Sequence, residues 1–169
     1  NDTTIDGTSL STPLKVTEEV GPDRDFVTLL LPDVYYSDSN RKVLNYGSLG
    51  TLLAGELFDT APTRLDLSVH TSCLARYVSA NAGVTLSEDE RVTVLRTAWS
   101  LGTAHMAAAL REPDVAHGAL QTRLFVLRFL RMTCGEPEDV ARLSRIAVMT
   151  LPIYTMAFNC SSPPTSTLC

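Results

Sequence analysis

Lysine is almost missing from this sequence: only Lys15 and Lys42 occur, so nearly all of the basic charge is carried by arginine. With 14 basic against 19 acidic residues the chain carries a net charge of -5. That balance argues against a nucleic-acid-binding surface, because such binding is driven mainly by neutralising phosphates with Lys and Arg. No apolar run approaches the roughly 20 residues that a membrane-spanning helix requires, so no spanning segment is expected. Cysteines are few and none forms a Cys-x-x-Cys pair, which leaves zinc-ribbon and thioredoxin-like readings without support. Histidine is scarcer still. His70, His105 and His117 lack the i, i+4 spacing that sets two imidazoles on one metal. There is no glycine-rich phosphate loop, and Tyr46-Gly47-Ser48-Leu49-Gly50 holds Ser48 out of register with a Gly-x-Ser-x-Gly elbow. The expectation is therefore a protein that is not an enzyme and carries no metal or cofactor.

What is present describes a small globular protein. At 169 residues, with 44% hydrophobic and 20% charged residues, the chain suits one domain able to bury its own core. The even set Cys73, Cys134, Cys160 and Cys169 is joined by two Asn-x-Ser/Thr triplets, at Asn1 and Asn159. Together they favour an oxidising, extracellular compartment, and a secreted or ectodomain glycoprotein whose signal peptide has been removed. On that reading Asn1 is an end left by processing or an arbitrary boundary. The contrary reading is a cytosolic protein with four buried thiols. A Cys73–Cys134 bridge with a Cys160–Cys169 bridge is one of three connectivities that four cysteines allow, and spacing does not choose among them.

The chain divides into an extended or flexible N-terminal arm (1–25), a single globular helical domain (26–160) and a Ser/Pro-rich tail (161–169). Phe26 to Tyr36 clusters β-branched and aromatic residues around Pro32 and reads as an edge strand, with Val43 to Tyr46 as a short return. Leu49 to Phe58 is ambiguous, a short helix among glycines. Four helices follow. The first opens at Pro62 and stops at Gly83, with Leu65, Val69, Cys73, Leu74, Tyr77 and Val78 inward. The second starts at a capping box, Ser87-Glu88-Asp89-Glu90, and puts Val92, Leu95, Trp99, Met106 and Leu110 on one stripe, with Gly102 leaving room for another backbone. The third runs from Asp114 to Cys134 and is apolar nearly all round, so that Arg123, Arg128 and Arg131 need water or acidic partners. The fourth opens at Pro137-Glu138-Asp139 with Val140, Leu143, Ile146, Ala147 and Leu151 inward, and Ile153 to Phe158 reads as a strand.

The fold class expected is mainly α: about four helices in a disulfide-linked bundle, with a small β element from the N-terminal ribbon. The function expected is recognition of another protein, cell-surface or secreted, with no nucleic acid as partner and with homo- or hetero-oligomers both open. Candidate interface residues are Tyr35, Tyr36, Phe125, Arg128 and Phe129, since aromatics and arginine carry much of the energy of protein contacts. The alternative is an extracellular carrier of a small apolar ligand, held in a helical pocket lined by Trp99, Met106 and Phe129. Asp66 and His70, four apart on one helix, form a candidate polar pair. As catalytic groups they would still need a nucleophile within reach, and none is marked.

Overall fold

The computed structural model describes residues 42–60, 67–111 and 118–160, and among them every regular element is helical. The mainly α expectation holds. The first helix is one rod in three parts: α1 (Lys42–Asn45), a π-helical turn (Tyr46–Gly50) and α2 (Thr51–Thr60). Val43 to Tyr46 is thus helical, not a returning strand. The reason lies in local hydroxyl chemistry. Ser48 Oγ donates to the Leu44 carbonyl at 2.8 Å and Thr51 Oγ1 to the Gly47 carbonyl at 3.3 Å, so both buried hydroxyls are satisfied only while the backbone stays coiled. Gly47 is required by what lies against it, because a Cβ there would sit 2.5 Å from the Phe125 carbonyl oxygen of a neighbouring helix.

Four longer helices follow: α3 (Ser68–Ala82), α4 (Glu88–Arg111), α5 (Ala119–Met132) and α6 (Glu138–Met149), and a short α7 (Pro152–Phe158) closes the described chain. Gly83 ends α3 with φ of 64°, a left-handed cap that glycine adopts without Cβ strain. The capping box forms as the sequence predicts. Ser87 N–H donates to Glu90 Oε2 at 2.8 Å and Glu90 N–H donates to Ser87 Oγ at 3.3 Å. Ile153 to Phe158 is helical rather than extended, because Pro152 occupies the first turn and Ile153 and Ala157, four apart, both face the core. The β element expected there is absent among the described residues, and Phe26 to Tyr36 lies outside them.

The central element is α4, which packs against α2, α3, α6 and the π-turn. It does so through Val94, Ala98, Leu101, Ala104 and Ala108, a face of mostly small side chains. Helix α5 packs against α1, the π-turn and α7 through Phe125, Val126 and Phe129. The inward face expected for α6 is largely right, with Leu143, Ile146, Ala147 and Leu151 buried and Val140 exposed. In α3, Leu74 and Val78 are core, but Val69 is exposed.

The expected disulfide set is corrected by two free thiols. Cys134 and Cys160 are both free and exposed, so neither a Cys73–Cys134 nor a Cys160–Cys169 bridge is present. Cys73 sits on α3, which packs on α4, whereas Cys134 lies in the turn after α5 with its Sγ 3.7 Å from the Leu130 carbonyl. Cys169 lies outside the described residues.

Candidate interaction surface

The second apolar face of α4 is the one the sequence reading turned inward. Of the stripe Val92, Leu95, Trp99, Met106 and Leu110, the structure packs Leu95 against the core and leaves the other four exposed, Trp99 at 47%, Met106 at 62% and Leu110 at 83%. The correction has a steric cause. Alanines at 98, 104 and 108, with Ser100 and Leu101, let α2, α3 and α6 approach closely, while the bulkier stripe does not fit that space. The Ala98, Leu101, Ala104, Ala108 spacing marks the buried side.

At the margin of this stripe Phe58 of α2 meets Trp99 edge to face, with ring centroids 5.5 Å apart. The same junction is pinned by a forked ion pair. Arg96 Nε lies 2.8 and 2.9 Å from the two carboxylate oxygens of Asp59, and Nη2 lies 2.5 Å from Oδ2. These hydrogen bonds hold the guanidinium pKa above its ordinary value, and Glu56 adds a weaker attraction at 3.9 Å. The close backbone approach expected at Gly102 is not made: the nearest atom to a Cβ there would be a side-chain atom, Leu151 Cδ2, at 3.9 Å.

The other candidate residues separate. Phe125, Phe129 and Arg128 are buried, so they belong to the interior and not to an outer contact surface. Arg123 meets no carboxylate among the described residues. Its Nε donates to the Ala157 carbonyl at 3.0 Å and its guanidinium lies 5.6 Å from the Phe158 ring centre. The carrier pocket is not assembled, because Phe129 faces the core while Trp99 and Met106 face out. A cavity of about 230 Å³ does occur elsewhere, between α3, α6 and α7, lined by Tyr77, Asn81, Ile146, Thr150, Tyr154 and Cys160. That is below the usual size of a pocket for a drug-sized ligand.

His70 is exposed on α3, and its proposed partner Asp66 lies outside the described residues, as do Tyr35, Tyr36, His117 and Asn1. His105 is buried on α4, 5.4 Å from the Phe125 ring, with no hydrogen-bond partner at Nε2, and burial pushes its pKa down. Ser48 is buried in the π-turn and donates to the Leu44 carbonyl. Asn159 is exposed and ends α7 in the left-handed region, φ 53°. No group of three or more His, Cys, Asp or Glu side chains able to hold a metal occurs among the described residues, and no helix there is long and apolar enough to cross a membrane.

Family models, curated proteins and solved structures were compared with the chain, and none matches.

Proposed function

We propose that this chain is a non-enzymatic interaction module of a secreted or ectodomain glycoprotein, and that it binds another protein through the outward face of α4. The observation that carries this reading is the exposure of Trp99, Met106 and Leu110 along one line of a 24-residue helix. Tryptophan is a costly residue to leave in water and is enriched in the energetic centres of protein contacts. The forked Arg96–Asp59 pair and the Phe58 ring support the reading, because they fix the indole's surroundings before any partner arrives. The exposed Asn159 supports the glycoprotein part: an acceptor asparagine must stand clear of the fold to be modified.

The test is site-specific photo-crosslinking on the glycosylated chain, with a photo-reactive residue in place of Met106 and a control at exposed Ser79 on α3. The expected result is an adduct to a second polypeptide from position 106 and none from 79. Equal labelling from both positions, or none from 106, overturns the reading.

A further inference from the structure

The line of exposed side chains on α4 has a symmetry of its own. Val92 and Met106 stand seven residues to either side of Trp99, and at about 100° per residue all three lie within roughly 40° of one another around the helix. Glu88 falls on the same line at the N-terminal end, next to Asp89, and Leu110 falls on it at the C-terminal end, next to Arg111. The helix is therefore acidic at one end of its apolar line and basic at the other, with the chain's single tryptophan at the middle.

Resting on the reading of this face as the contact surface, we propose that its partner is a second copy of this chain, the two α4 helices lying antiparallel about a two-fold axis at Trp99. In that register Trp99 meets Trp99 of the second copy, Val92 meets Met106, and Glu88 with Asp89 meets Leu110 and Arg111. Each contact occurs twice, as a two-fold interface demands. The antiparallel arrangement also sets the positive end of each helix dipole beside the negative end of the other. A parallel pairing would put acid against acid at one end and arginine against arginine at the other. That mismatch is what selects the antiparallel form.

The contact is small. From Val92 to Leu110 the line runs roughly 27 Å, and with a helix about 10 Å wide it offers roughly 300 Å² per copy, well under the about 800 Å² per partner of a standard interface. The dimer is thus weak and transient.

Sedimentation of the whole chain, diluted from about 500 μM to about 1 μM, tests this together with tryptophan emission, which reports on Trp99 alone. The expected result is a mass falling from two chains to one, with emission moving to longer wavelength over the same range. Met106→Glu should give one chain throughout with unchanged helical circular dichroism. Arg111→Glu should weaken the dimer roughly three- to tenfold, since an exposed pair is worth little but occurs twice, and adding Glu88→Arg to it should restore the affinity. A single-chain mass at every concentration with long-wavelength emission overturns the second copy as partner and leaves the α4 surface open to a different protein. A single-chain mass with short-wavelength emission that never moves overturns both, because the indole is then already covered within one chain. A dimer that persists in Met106→Glu places the contact on another face and overturns the proposal.

Discussion

Gly47 sets how closely the first helix can lie against α5. The carbonyl oxygen that an added methyl would meet, at 2.5 Å, belongs to the backbone of buried Phe125 and has no rotamer with which to give way. Gly47→Ala is therefore expected to lower stability by about 1–3 kcal/mol, the usual cost of overpacking, and urea unfolding followed by circular dichroism measures it. His105 makes a different demand. Its ordinary pKa of 6.5 is lowered by burial, so above that pH both folded and unfolded chains hold it neutral. As pH falls below 6.5 the unfolded chain takes up a proton that the folded chain resists, and stability is lost until the depressed folded value is reached. The urea midpoint should accordingly drop between pH 7 and pH 5, and His105→Leu should flatten that part of the profile. If wild type and variant fall in parallel, some other group is responsible.

The ends of α4 were written plainly in the sequence, and its orientation was not. Ser87 and Glu90 exchange the two hydrogen bonds their spacing implies, and the Ser87 backbone N–H is the largest influence holding the Glu90 carboxyl below its ordinary range. Ser87→Ala should cost about 1 kcal/mol of stability, seen as a lower thermal midpoint with the fold unchanged. Which face turns inward was harder to read, because α4 carries two apolar lines and hydrophobicity favours the bulkier one. Packing favours the other: helices crowd closest over alanine, so the core took Ala98, Ala104 and Ala108 and left Trp99 outside. Helix α5 presents the same ambiguity. It looked apolar all round, yet it buries Phe125, Val126 and Phe129 on one side and leaves Leu120, Leu124 and Leu127 exposed on the other. Terminal signals are local and can be read residue by residue. The choice between two apolar faces depends on neighbours that only the folded chain supplies.

Across the whole molecule, the two free thiols restrict the covalent state. With Cys134 and Cys160 unpaired, the one bridge the four cysteines still allow is Cys73–Cys169. A mass map of the unreduced, naturally expressed chain should show alkylated Cys134 and Cys160, glycan on Asn159, and a linked Cys73–Cys169 peptide. Closing a loop of roughly 100 residues is worth about 4–5 kcal/mol on a chain-entropy basis, so reduction should lower the thermal midpoint markedly. Four alkylated cysteines and a bare Asn159 would remove the extracellular reading. The π-turn at Tyr46–Gly50 governs the molecule at this scale too. A π-turn holds one more residue than an ordinary turn needs, and each residue of a helix is worth about 100° of rotation. The turn therefore works as an indexing step on a shaft: α2 stays docked on α4 while α1 is clocked round until Val43 meets the core. Deleting Leu49 would remove the step and turn Val43 and Gly47 off their contacts with the core and α5, so the urea midpoint should fall.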